Sequence, residues 1–121
     1  MDLSVYKKLM EEQSKPFVAG SIVFTSGALQ GQTFEIPSEG LFIGRDSSSS
    51  QVVISDPRVS KCHLWIGPRD RKVVVQDQES RNGTFINDIA TPRVTQAELR
   101  DGDVIILGEA NVAQFEYRAS R

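Results

Sequence analysis

At 121 residues, 39% hydrophobic and 25% charged, the chain has the size and composition of one soluble domain with a core of its own. Its 14 Lys and Arg against 16 Asp and Glu leave a net charge of -2, which argues against general nucleic-acid binding. One cysteine, Cys62, and one histidine, His63, exclude an intrachain disulfide and a structural zinc site, so no metal and no cofactor are expected.

Residues 1–19 read as a tail. Met1–Ser14 lacks the apolar run of a signal peptide, and no stretch is apolar for the roughly 20 residues a membrane-spanning helix needs. With a lone thiol, this predicts a cytoplasmic protein without a membrane partner. Leu3, Tyr6, Leu9 and Met10 recur at spacings of three and four, which predicts a short helix from Leu3 to Gln13, ended by Pro16. So short a helix is marginal alone and is expected only if it docks.

From Ser21 onward the pattern changes to short strands broken by turns. Ser21–Thr25, Thr33–Ile36 and Leu41–Ile43 are rich in β-formers and are separated by Ser26-Gly27, Gly31 and Pro37–Gly40. Val52–Ile54, His63–Ile66 and Val73–Gln76 follow, with turns expected at Ser55-Asp56-Pro57 and Gly67-Pro68-Arg69-Asp70. Then come Thr84–Ile86, a short strand near Val94, Val104–Leu107 and Val112–Tyr117. About ten short strands and no internal helix predict an all-β chain folded as an antiparallel β-sandwich. The chain ends soon after Tyr117, as a module of a longer signalling protein would.

Three loops of this scaffold carry more polar equipment than turns require. Asn82-Gly83 is a strong turn dipeptide, and Arg81 precedes it. Gly44-Arg45 and Ser60-Lys61-Cys62-His63 are the other two. Arg45 offers a planar fork of donors for phosphate or carboxylate oxygens. Ser60 adds a hydroxyl, Lys61 a mobile charge, and the Asn82 amide both a donor and an acceptor for an extended peptide backbone. Residues 45–93 hold eight Lys or Arg against six Asp or Glu, a mildly positive middle in an acidic chain. Together these suit a phosphate carried on a peptide, whose charge of about -1.5 to -2 would attract Arg45 and Lys61 together. The run Ser47–Ser50 lies next to Arg45 and is placed to close over such a phosphate. Arg58 reads as solvated, and Trp65 as packing.

Gly44-Arg45, Ser60-x-x-His63, Asn82-Gly83-Thr84 and Asn87 resemble, in order and spacing, the signature of the forkhead-associated (FHA) domain. The resemblance extends through Leu99-x-Asp101-Gly102-Asp103 and covers residues 20–118, leaving the tail outside it. It implies a sandwich of about eleven strands that binds phosphothreonine-containing proteins or peptides in intracellular Ser/Thr kinase signalling, and is not an enzyme. It also implies that Arg45, Ser60 and Lys61 hold the phosphate, that Asn82 and Arg81 hold the peptide, and that phosphothreonine is preferred to phosphoserine. Gly44, His63, Gly83, Thr84 and Asn87 would support the site. The tail carries Ser4 and Ser14, so once phosphorylated it is itself a candidate occupant in cis or in a neighbouring chain.

Two other readings stay open at this point. An enzyme would use Ser60 as nucleophile, His63 as base and Asp56 or Asp77 as orienter, but no nucleophile elbow is present. A phosphate-independent interaction or scaffold domain would instead use a sheet face or the tail.

Overall fold

The structure, a computed structural model, describes residues 3–5, 16–109 and 112–120. Leu3, Ser4 and Val5 are helical, with Leu3 and Val5 exposed; the rest of the predicted helix through Gln13 lies outside the described residues. Ten strands follow: β1 (Ser21–Ser26), β2 (Thr33–Glu35), β3 (Leu41–Gly44), β4 (Val52–Val53), β5 (Leu64–Arg69), β6 (Lys72–Asp77), β7 (Thr84–Ile86), β8 (Gln96–Glu98), β9 (Val104–Leu107) and β10 (Gln114–Arg118).

They form two five-stranded sheets, ordered β2-β1-β10-β9-β7 and β4-β3-β5-β6-β8. Neighbours run antiparallel except β3 and β4, which pair in parallel through Ile43–Val52 and Gly44–Val53. Alternation along each strand puts one face inward. Ile22, Phe24, Ile105, Leu107, Phe115 and Tyr117 from the first sheet meet Leu41, Ile43, Leu64, Ile66, Val73 and Val75 from the second, all buried. Phe24 sits edge-on to Phe34 at 5.9 Å and tilted against Phe115 at 5.3 Å. Burying each such side chain contributes about 1.5–3 kcal/mol, and this stabilises the scaffold without any cross-link. Upstream, Ala19 is buried, and its carbonyl accepts the Tyr117 hydroxyl at 2.6 Å.

Two local expectations are corrected. The turn expected over Gly67–Asp70 is instead a continuation of β5, which pairs with β6 out to Arg69–Lys72. The loop is the two residues Asp70 and Arg71, at φ 53° and 61°, the left-handed pair that twists a hairpin correctly. Pro68 is tolerated because the closing Arg69–Lys72 pair carries the hydrogen bonds. Its neighbour Pro68–Val73 is then a non-bonded pair, and β3 pairs with β5 only as far as Ile66, so no neighbouring strand needs a donor from Pro68.

The strand expected near Val94 lies at Gln96–Glu98 instead. Its pairing with β6 is reinforced by Gln76–Gln96 at 2.9 Å and Lys72–Glu98 at 3.4 Å. Val94 uses its N–H on the Thr84 carbonyl at 2.9 Å. One aliphatic residue in a polar run therefore mattered less than which segment could match the edge of β6.

Candidate functional site

The topology gathers the polar loops at one pole. Strands β3, β6 and β9 end there, while β5 and β7 begin there, so the loops 45–51, 54–63, 78–83 and 108–109 become neighbours. Between them lies a pocket of about 400 Å³ lined by Arg45, Arg58, Ser60, Lys61, Arg81 and Asn82, with Pro57, Val59 and Cys62 as its less polar wall. Five of the residues singled out by sequence, Arg45, Ser60, Lys61, Arg81 and Asn82, thus meet on one surface.

Each is held by the backbone around it. Arg45 donates its N–H to the Ser60 carbonyl at 2.9 Å and its side-chain Nε to the Val59 carbonyl at 3.0 Å. The terminal guanidinium nitrogens have no hydrogen-bond partner among the described residues. The Ser60 hydroxyl oxygen accepts the Arg81 N–H at 3.0 Å, which leaves its own proton to donate. Asn82 Nδ2 donates to the Arg58 carbonyl at 2.8 Å, and Oδ1 has no partner among the described residues. Gly44 is required by close approach, since a Cβ there would run into the Lys61 carbonyl. Gly83 stands at φ 90°, which only glycine adopts without strain.

His63 is fully buried and joins two of the loops. Its Nδ1 accepts the Ser60 N–H at 3.2 Å, and its Nε2 lies 2.8 Å from the Gly83 carbonyl, to which it donates. These partners fix the neutral imidazole with its proton on Nε2. Burial pushes the His63 pKa below its usual value, against a smaller opposing effect from the Gly83 carbonyl. Thr84 is buried beside it, and its hydroxyl donates to Asp77 at 2.7 Å. Asn87 works further off. It sits at φ 66° and grips the turn before β9 through Val104 N–H to Oδ1 at 2.8 Å and Nδ2 to Asp103 at 3.1 Å.

The sequence reading missed the anchor beneath the 78–83 loop. Asp77 accepts the Ser80 N–H at 3.0 Å, the Ser80 hydroxyl and the Thr84 hydroxyl, and stands 3.7 Å from Arg93. Ser80 in turn accepts the Gly83 N–H at 3.1 Å, and its carbonyl takes a short hydrogen bond from Arg93. The legible signal was an Asp three residues ahead of a Ser at a turn, the spacing of a side-chain-closed loop.

Two further placements differ from expectation. Arg58 is part of the pocket wall rather than merely solvated; Asp56 holds it at 2.9 Å and Glu109 faces it at 3.7 Å. The hydroxyls of Ser48, Ser49 and Ser50 do not line the pocket. Ser48 donates to Asp46 at 2.9 Å, and Ser49 and Ser50 to the Lys61 carbonyl at 3.2 and 3.1 Å. The Ser48 bonds, and to a smaller extent Lys61 and Arg45, hold the Asp46 carboxyl below its usual range. Trp65 packs on the outer face of β5 and donates to the Glu39 carbonyl at 3.2 Å. No helix among the described residues is long and apolar enough to cross a membrane.

Chemically, the pocket presents donors and positive charge around Ser60 and a peptide-gripping amide at Asn82. Known proteins resemble this chain in sequence and in fold. FHA domain-containing protein At4g14490 of Arabidopsis thaliana is 36% identical over 89 residues, covering 73% of this chain and 23% of that protein. FHA domain-containing protein FhaB of Mycolicibacterium smegmatis is 31% identical over 85 residues, covering 70% of this chain and 54% of that protein. The chain thus spans about half or less of the length of these curated relatives. A solved structure from a structural and functional analysis of phosphothreonine-dependent FHA domain interactions matches with a TM-score of 0.70 at 29% identity, covering 84% of this chain and 96% of that one. The family model of the FHA domain matches residues 41–108, the span that contains every residue lining the pocket. On fold, matched span and relatives alike, the chain belongs to the FHA domain family.

Proposed function

We propose that residues 20–118 form a phosphothreonine-dependent interaction module of intracellular Ser/Thr kinase signalling, with residues 1–19 as a tail. The observation that carries this reading is the convergence of Arg45, Ser60, Lys61 and Asn82 on one pocket whose described lining holds no carboxylate. Arg45 and Lys61 supply two positive charges, matched to a phosphate of about -2, and the Ser60 hydroxyl supplies a directed donor. Asn82 is positioned to accept a peptide N–H through Oδ1. A related FHA structure belongs to a study of phosphothreonine-dependent interactions, which supports the same ligand class.

The geometry also favours binding over catalysis. Ser60 meets His63 through its backbone N–H, not its hydroxyl, and both imidazole nitrogens are committed to loop partners. An imidazole so placed has no lone pair left with which to activate a nucleophile.

A handful of charge-assisted bonds on a shallow site implies a reversible complex, with Kd near ~1 μM, or about -8 kcal/mol. Calorimetric titration with matched phosphorylated and unphosphorylated threonine peptides tests the reading. Binding only of the phosphorylated peptide is expected; equal binding of both would favour a phosphate-independent scaffold.

A further inference from the structure

Four cations line the pocket, and their surroundings are not equivalent. Arg58 is committed to Asp56 at 2.9 Å, with Glu109 at 3.7 Å. Arg45 and Lys61 lie on one side of Ser60, where their fields already lower the Asp46 carboxyl. Arg81 stands on the opposite loop, tied through its backbone N–H to the Ser60 hydroxyl at 3.0 Å. Its side chain is exposed and makes no ion pair among the described residues. Of the two acids beside this loop, Asp77 is occupied by Ser80, Thr84 and Arg93, and the exposed Glu79 lies outside the pocket lining and makes no ion pair with Arg81.

The charge count leaves Arg81 over. Arg45 and Lys61 balance one phosphate dianion. Arg81 then presents a planar, fully charged fork beside the bound residue, on the wall that also carries Asn82. In a chain of net charge -2, a pocket rim this positive is a local selection for ligand charge, not a general property of the surface.

We propose that Arg81 reads a second negative group next to the phosphothreonine, so that the preferred partners are acidic phosphopeptides. The inference rests on the phosphopeptide reading above and extends it to the flanking sequence. The shared chemistry is a carboxylate or a second phosphate within reach of the Arg81 guanidinium. The same charge disfavours Lys or Arg at that place, since like charges brought together cost affinity without any clash of shape.

The test uses the full 121-residue chain. One phosphothreonine peptide with neutral flanks is compared with versions carrying a single Asp, a single phosphoserine or a single Lys at each flanking position. Fluorescence anisotropy at low and high salt reads affinity. At one position Asp should tighten binding about three- to tenfold, phosphoserine more, and Lys should weaken it, with the gain shrinking in high salt. The ratio of acidic to neutral affinity should fall to about one in Arg81→Gln and be partly kept in Arg81→Lys. Because the backbone of Arg81, not its side chain, closes the loop, both variants should retain the wild-type Tm.

Distinct failures are readable. If the neutral phosphopeptide binds and no acid at any position tightens it, this inference falls and the phosphopeptide reading stands. A ratio unchanged in Arg81→Gln transfers the selectivity to another cation and also overturns it. If no phosphorylated peptide binds, both readings fall.

Discussion

His63 and Gly83, twenty positions apart in sequence, are joined by a 2.8 Å hydrogen bond from the buried imidazole to the glycine carbonyl. The other ring nitrogen accepts the Ser60 N–H, so one side chain sets the spacing between the 54–63 and 78–83 loops. Arg81 and Asn82 face Ser60 and Arg58 across the distance that this ring spans.

Replacing His63 by Ala should therefore act on stability first. The change leaves a cavity and two unpaired backbone groups, a loss of about 2–4 kcal/mol in denaturant unfolding. Phosphopeptide binding should weaken as a consequence. A variant that unfolds like wild type yet no longer binds would place His63 among the ligand contacts instead.

The same residue predicts a pH dependence. The folded-state pKa of His63 lies below its ordinary 6.5, chiefly through burial, so below that pH the unfolded chain takes up the proton more readily. Stability is then complete above about 6.5 and declines as pH falls toward the folded value. Protonation would also set an N–H on Nδ1 against the Ser60 N–H. Asp77 favours the charged ring and Arg93 opposes it, both more weakly than burial acts. The depressed carboxyls of Asp46 and Asp56 pull in the same direction, but only below their usual 3.8. Unfolding free energies of wild type and His63→Gln should converge as pH drops from 7 to 5; parallel profiles would contradict the assignment.

Arg45→Ala should reduce phosphopeptide affinity by at least about 100-fold, the loss of two charge-assisted bonds. Arg45 is exposed and its side chain makes one bond to the Val59 carbonyl, so the fold should survive. Asn82→Ala should weaken binding by another route, removing the free Oδ1 and also the tie to the Arg58 carbonyl. Unchanged calorimetric affinity in Arg45→Ala would remove the phosphate from this pocket.

The pocket residues were legible because their chemistry is dense and local: an Arg beside a Gly, a Ser three before a His, an Asn-Gly turn. The sandwich was legible from period-two alternation, as in Ile22 and Phe24 or Leu64 and Ile66. What escaped depends on long-range pairing. Gln96–Glu98 is polar and unremarkable until β6 offers it an edge, and Pro68 reads as a break until β3 is seen to stop short of it. Asp77 escaped for a similar reason. Its worth lies in four contacts to three residues, Ser80, Thr84 and Arg93, that converge only after β6 and β7 have taken their places in different sheets.

That convergence makes Asp77 a sensitive position. Asp77→Ala would leave the buried Ser80 and Thr84 hydroxyls without their acceptor and remove the ion pair to Arg93, which is half-exposed and keeps its bond to the Ser80 carbonyl. A loss of about 3 kcal/mol is expected, together with faster amide exchange over residues 80–83. Asp77→Asn, which keeps one acceptor oxygen, should lose less. Wild-type exchange in the Ala variant would show that the loop is held by other means.

Phosphothreonine should bind more tightly than phosphoserine in an otherwise identical peptide. The two ligands carry the same charge and the same oxygens, so Arg45, Lys61 and Ser60 cannot tell them apart. The difference is one methyl group, and the pocket has a less polar wall to receive it at Pro57 and Cys62, with Val59 packed into the core behind them. Burying that methyl contributes about 0.8 kcal/mol, and the β-branch also restricts the side chain to fewer rotamers before it binds. Together these amount to about 1 kcal/mol, roughly a fivefold preference. Because the gain is apolar, it should persist in high salt while both absolute affinities fall. Equal affinities for the matched pair, or a preference that disappears with added salt, would show that the methyl group finds no niche against this wall.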